Sequence, residues 1–244
     1  MAYKNIMTSL IKKVYHFIIL LISIAGYVPK NATIFRSVVM VFSIIFALYL
    51  GNYQPNNSNL GVSYFLFSEV LYLSFITIVL SKNGLRHWFI RKCGNEDEGY
   101  LTYEAILGFL FFHNGVSIGY IASSSAGSLF HFIHKDFLSI IVIIIFISGF
   151  TIKILAAKAV AIEIYYLKDM FLGRKISNFV ATGPYKYLNN PMYGIGQSQA
   201  YAIAIWYGSE YGLIAAFLNQ VLIFSFYYLV EKKFIKRVYQ NELA

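Results

Sequence analysis

Two stretches decide how this chain is read: Ala181-Thr-Gly-Pro-Tyr-Lys-Tyr-Leu-Asn-Asn-Pro-Met-Tyr193, and Tyr227-Tyr-Leu-Val-Glu231-Lys-Lys-Phe234. The first is a turn rich in Gly, Pro, Asn and Tyr. The second is the end of an apolar run with a lone acid at its exit. Between them lie two apolar segments, 193–207 and 213–230, joined by Gly208-Ser-Glu-Tyr-Gly212. A hairpin of two apolar segments returns the chain to the side it left. The spacing therefore predicts that Glu231 lies near the Pro-Tyr-rich turn, at one edge of a membrane.

Composition agrees with a membrane setting. The chain is 58% hydrophobic and only 13% charged over 244 residues, and its mean hydropathy is +0.61. A soluble domain of this size would need far more charged surface. The formal charge of +9 would suggest nucleic acid in a soluble protein. Here the basic residues sit in short segments between apolar runs, which points to orientation and anionic headgroups and away from nucleic acid. A single cysteine, Cys93, excludes an intrachain disulfide and a cysteine zinc cluster. Asp136 is the one carboxylate near His131 and His134, so no metal site is expected.

Further apolar runs occupy residues 14–28, 37–53, 62–80, 100–121 and 137–152. The last continues without Gly or Pro to Phe171, which predicts one long helix projecting beyond the bilayer. The run at 14–28 is short for a crossing, which takes about 20 residues. Lys and Arg concentrate in 81–99, in 153–190 and in the tail, whereas 54–61 and 208–212 carry none. This asymmetry places the basic segments together on the cytosolic side. The three lysines Lys4, Lys12 and Lys13 fit only if residues 14–28 lie in the interface or re-enter. The expected fold is all-α: one polytopic membrane domain over 1–244, with about six crossing helices plus that N-terminal segment.

Glu69, Glu104, His113 and Asn114 fall inside apolar runs. Intramembrane polar groups are costly and often functional, but each can equally bond to a neighbouring helix. Small residues at helical spacing, Gly194, Ser198 and Ala202 with Gly196, Ala200 and Ala204, predict close helix contact. Gly194-Ile-Gly196 follows no strand and lacks a third glycine, so it is no dinucleotide fingerprint.

The chemistry concentrates in the opening stretch. Pro191 suits the first turn of a helix and Asn190 can cap it. The amides of Met192, Tyr193 and Gly194 would then face an acidic group. Gly183-Pro-Tyr185 makes an earlier bend. Tyr185, Tyr187 and Tyr193 offer faces that attract sulfonium or ammonium cations, and Glu231 adds a carboxylate. A tight turn with a cation-paired Glu231 is the plain structural alternative.

Gly183-Pro-Tyr185, Asn189-Asn-Pro-Met-Tyr193 and Glu231-Lys-Lys-Phe234 resemble the phospholipid methyltransferase and isoprenylcysteine carboxyl methyltransferase superfamily. The chain looks most like phosphatidylethanolamine N-methyltransferases, which carry Asn-Pro-Met-Tyr here and an acidic pair followed by Pro-Phe after the last span. Lys232 stands where the second acid is found, Lys233 replaces the proline, and Ala156-Ala157-Lys158-Ala159 lies where an earlier glycine pair is usual. The carboxyl methyltransferases usually show Arg-His-Pro in place of Asn189-Asn190-Pro191.

The resemblance covers about residues 150–240 and implies a cofactor-binding part there. It implies S-adenosylmethionine held by Gly183, Tyr185, Asn190, Pro191, Tyr193 and Glu231, with Glu231 and Tyr193 acting in catalysis. It further implies a phospholipid amine as acceptor, entering from the bilayer, and phosphatidylcholine as the end product. The setting would be the endoplasmic reticulum of a eukaryote or the inner membrane of a bacterium, with the site facing the cytosol. Carboxyl methylation of a prenylated cysteine, NADPH-dependent reduction and a non-enzymatic scaffold are the alternatives.

Overall fold

The computed structural model describes residues 2–130, 134–176 and 182–240. Ala181 and His131 lie outside the described residues. Helix α1 (Ala2–Ile24) precedes α2 (Ile34–Tyr53), α3 (Ser58–Leu80), α4 (Arg86–Cys93) and α5 (Glu96–Ser124). Next come α6 (Lys135–Val160), the short α7 (Ile162–Tyr165) and α8 (Lys168–Leu172), then α9 (Ser198–Trp206) and α10 (Glu210–Phe226). No strand occurs among the described residues.

Local chemistry sets four of the helix starts, those of α2, α3, α5 and α10. Thr33, Asn57, Asn95 and Ser209 each accept a hydrogen bond from a backbone N–H three residues on, at 3.2, 3.0, 2.8 and 2.8 Å. These caps satisfy N–H groups that the first helical turn leaves open. Glu96, Asp97 and Glu98 fill the first turn of α5, where negative charge complements the helix dipole.

Among the described residues, five helices are long and apolar enough to cross a membrane: Ile34–Tyr53, Ser58–Leu80, Glu96–Ser124, Lys135–Val160 and Glu210–Tyr239. The all-α, multi-pass reading holds. The segment expected as a sixth crossing, 193–207, is instead a compact turn followed by the nine residues of α9. Nine helical residues rise only about 14 Å, half the hydrocarbon thickness. α9 therefore docks into the bundle instead of spanning alone. Ala200, Ala202 and Ala204 are buried, and Ser198 Oγ donates to Ile145 O of α6 at 3.1 Å. The small residues do permit the close approach expected of them.

The expected helix from residue 137 to 171 breaks at Ala161. Ala161 and Leu167 both adopt positive φ, 67° and 57°, which costs about 1–2 kcal/mol for a residue with a Cβ. No local signal marks these breaks. They carry Tyr166, Met170 and Phe171 into the core, where each is at most 2% exposed. Burying one large apolar side chain contributes about 1.5–3 kcal/mol, enough to offset the backbone strain. Lys153, grouped above with the basic loop, is correspondingly buried inside α6 at 8% exposure.

The loops gather at two ends. At one end Gly127 N donates to Tyr207 O (2.9 Å), Leu129 N to Gly208 O (2.8 Å) and Tyr120 Oη to Gln54 O (2.8 Å). At the other, Arg86 Nη1 donates to Met170 O (3.2 Å), Arg174 Nη1 to Glu96 Oε1 (3.0 Å) and Tyr239 Oη to Asp169 Oδ2 (2.8 Å). Lys30 lies 3.6 Å from Glu163 at this second end. The basic segments identified by sequence thus share one end, and the turns without Lys or Arg share the other. α1 joins the bundle at the basic end, where Tyr166 Oη donates to Ser23 O at 2.8 Å.

Two of the polar groups inside spans tie helices together. Glu104 accepts from Asn31 with both oxygens at 2.9 Å and pairs with Arg36 at 3.3 Å. The ring of His113 bonds Tyr64 Oη at 2.6 Å and Ser43 Oγ at 3.0 Å. Both are satisfied structural contacts, as buried polar groups must be.

Candidate functional site

The hairpin α9–α10 brings the two opening stretches into contact. Tyr193 Oη donates to Glu231 Oε2 at 3.1 Å. Three further contacts set the position of Tyr193. Its backbone N–H donates to Asn190 Oδ1 at 3.3 Å. Gln220 Nε2 of α10 donates to Tyr193 O at 3.0 Å and to Gly194 O at 3.3 Å. Its ring meets Phe224 and Tyr227 edge-on, with centroids 6.4 and 6.3 Å away.

The turn differs from the sequence expectation in one respect. Pro191 does not open an α-helix. Residues 191–194 form a turn, Ile195–Gln197 a 3₁₀ turn, and α9 starts only at Ser198. The amides of Tyr193 and Gly194 are consumed within the turn by Asn190 Oδ1 and Asn190 O, so they do not form the anion site expected of a helix N-terminus. Gly196 N donates to Pro191 O at 2.8 Å, and a Cβ on Gly196 would sit 2.8 Å from that same oxygen. The turn is therefore sealed around buried Pro191, and its task is to aim Tyr193.

The other expected residues fall as follows. Tyr185, on the 3₁₀ turn Gly183–Lys186, lies within electrostatic reach of Glu231. Burial, and then the Glu231 carboxylate, push its phenol above the ordinary range, so it stays a protonated donor. Gly183, with φ of 55°, packs over Ala159 and Leu155 of α6. Tyr187 is 80% exposed, and its ring lies 5.6 Å from Lys186 Nζ. Lys232 turns outward over the Tyr228 ring at 4.9 Å.

Several residues of the site escaped the sequence reading. Glu231 ends a π-helical turn, Tyr227–Glu231, a local widening common at functional sites. Asp169 of α8 lies within electrostatic reach of Glu231, so a second acid stands near the first, although Lys232 occupies the adjacent sequence position. Nothing in the linear order joins Asp169 to Glu231. Asn219-Gln220 did carry a signal, as two adjacent amides within an otherwise apolar run.

Together these residues define a multi-pass helical membrane protein with an acid–tyrosine site at its basic end. The comparison with known families is specific: residues 137–242, from α6 to the tail, match the family model for phospholipid methyltransferase, which supports a methyltransferase. No curated protein and no solved structure matches the chain.

The donor set suits the cofactor this family generally uses. S-adenosylmethionine carries a sulfonium and an ammonium, and the site offers a carboxylate at Glu231 flanked by the rings of Tyr193, Tyr185 and Tyr227. Aromatic faces and carboxylates both attract such cations.

Proposed function

We propose that the chain methylates the amine headgroup of phosphatidylethanolamine, or its mono- and dimethyl forms, toward phosphatidylcholine, with S-adenosylmethionine as donor. The observation that carries this reading is the Tyr193–Glu231 contact inside the family-matched residues. When bound, the cofactor supplies an electrophilic methyl on sulfonium. Residues 150–240 hold it, with Gly183, Tyr185, Asn190, Pro191, Tyr193 and Glu231 around it. Asn190 and Pro191 act through the turn that fixes Tyr193.

An ammonium headgroup has no lone pair, so a base must first remove a proton. Glu231 takes that role, and a positioned general base contributes about 10²–10⁴-fold. The freed nitrogen lone pair would be the acceptor for the methyl that bound S-adenosylmethionine would supply. Tyr193 holds Oε2 and orients the carboxylate. The tyrosine rings stabilise positive charge as it passes to nitrogen. The lipid enters sideways from the bilayer. The distribution of Lys and Arg favours the site end facing the cytosol.

The test uses purified chain, labelled S-adenosylmethionine and vesicles of phosphatidylethanolamine. Labelled mono-, di- and trimethylated headgroups are expected. Transfer to a farnesylcysteine analogue in place of the lipid, or binding of NADPH and not S-adenosylmethionine, overturns the reading.

A further inference from the structure

Beside the Tyr193–Glu231 contact runs a hydrogen-bond chain of single polarity. Lys153 Nζ donates to Gln197 Oε1 (3.5 Å), and Gln197 Nε2 to Asn219 Oδ1 (2.9 Å). Asn219 Nδ2 donates to Asn114 Oδ1 (3.0 Å) and to Glu69 Oε2 (2.8 Å); Asn114 Nδ2 donates to the same Glu69 oxygen (2.6 Å). Each step donates away from Lys153, and each amide oxygen is spent on its neighbour. The chain ends at Glu69, which is 2% exposed.

Lys153 is the other end. Its ammonium has three donors, is more than nine-tenths buried, and uses one donor on the long bond to Gln197. The Phe111 ring lies 5.2 Å from it. Lys153 lines a cavity of about 50 Å³ together with Tyr72, Phe111, Asn114, Tyr193 and Gln197. That is several times the ~10–15 Å³ a single water needs. Tyr193, which bonds Glu231, is thus also a wall of this cavity. With the amide oxygens consumed, Lys153 offers the cavity N–H donors and positive charge, which suits an oxyanion. A buried charge with so little compensation is costly unless a ligand completes it.

Depth narrows the choice of oxyanion. Lys153 is tied through Gln197 to Asn219, which precedes Glu231 by about three helical turns. Lys153 therefore lies deeper in the bundle than Glu231. A phospholipid has the same order, with its amine outermost, its phosphate next and its acyl chains deepest. We propose that Lys153 recognises the phosphodiester of the acceptor lipid, so that the site selects phosphate-bearing amine lipids over phosphate-free amines. This rests on the methyltransferase reading for the identity of the lipid, but not for the existence of the anion subsite.

Native mass spectrometry of the detergent-solubilised full chain tests it, comparing retention of phosphatidylethanolamine with that of a two-chain amine lipid lacking phosphate. The wild-type chain is expected to retain the phospholipid about tenfold better, the contribution of a charge-assisted hydrogen bond. Lys153→Gln is expected to erase the difference, and Lys153→Arg to keep most of it. Equal retention of the two lipids by the wild-type chain overturns the proposal whatever the variants do. So does an undiminished preference in a folded Lys153→Gln chain. Phosphate-dependent retention with no methyl transfer to any acceptor keeps the subsite and removes the methyltransferase reading. Methyl transfer that ignores the phosphate does the reverse.

Discussion

The Tyr193 phenol donates to Glu231 Oε2 at 3.1 Å, joining a turn before α9 to the end of the helix that follows it. Gln220, midway along α10, holds the same turn through Tyr193 O. The hairpin is thereby clamped at two levels, and the acid and the phenol are oriented before any ligand arrives. Such preorganisation is where a methyl-transfer site gains most, because the reaction needs alignment above all.

Glu231→Gln keeps an acceptor for Tyr193 but cannot take a proton. Methyl transfer from labelled cofactor should fall at least ~100-fold, with the melting temperature in detergent nearly unchanged. Full activity in the folded variant removes Glu231 from the chemistry.

Tyr193→Phe keeps the ring and its edge contacts with Phe224 and Tyr227 and loses only the hydroxyl. One hydrogen bond to a charged group contributes about 1.5–3 kcal/mol, so a rate loss of roughly tenfold or more is expected. The measurement is initial rate at saturating cofactor, and an unchanged rate means the hydroxyl does not position the acid.

Arg36→Met strips the cation from Glu104, whose side chain is 3% exposed, and leaves Asn31 as its remaining partner of that cluster. Breaking one side of a buried pair costs about 3–5 kcal/mol, which thermal unfolding in detergent will register. Pairing Arg36→Met with Glu104→Gln should restore part of the loss. No recovery in the double variant contradicts the uncompensated-charge explanation.

Gly149→Leu tests the α6–α9 contact. Even a Cβ there would press on Ser198 Oγ and sit 2.9 Å from Gln199 N. Overpacking of this kind costs about 1–3 kcal/mol, and displacing α9 should also disturb the Tyr193 turn. Both the melting temperature and methyl transfer should fall; a neutral result in both refutes the close contact.

Asp169 gives a pH dependence. Burial raises its carboxyl above the ordinary range, while the Tyr239 hydroxyl and the Met170 amide pull it back. The folded state then holds the proton more tightly than the unfolded chain. Its contribution is complete below the ordinary carboxyl value of about 3.9 and is lost as pH rises through the raised native value. Asp169→Asn cannot ionise, so its melting temperature should gain on the wild type as pH climbs above about 4. A difference that shrinks with rising pH contradicts the raised carboxyl.

The membrane class, the main spans, the shared basic end and the return of Glu231 to the Pro-Tyr-rich turn were legible in the chain. Each depends on quantities summed along it: hydropathy over a span's length, Lys and Arg per loop, and the return of a hairpin. The break at Ala161 was not, because no Gly or Pro marks it and the reward is the burial of Tyr166, Met170 and Phe171. The turn at Pro191 was misjudged for a related reason. Its amides look open in a helix, but here Asn190 closes them, while Gln220 reaches from another helix to the carbonyls of Tyr193 and Gly194.

By itself the order of residues determined that this protein is helical, crosses a membrane several times and brings an acid and a tyrosine to one end. Those properties follow from local hydropathy, charge and loop length. Tertiary packing alone decided that Asp169 lies within electrostatic reach of Glu231, and that Lys153 is an inward-facing cation tied by amides to Glu69. Each of these relations joins residues from different helices, so only the folded bundle brings the partners together and removes the water between them.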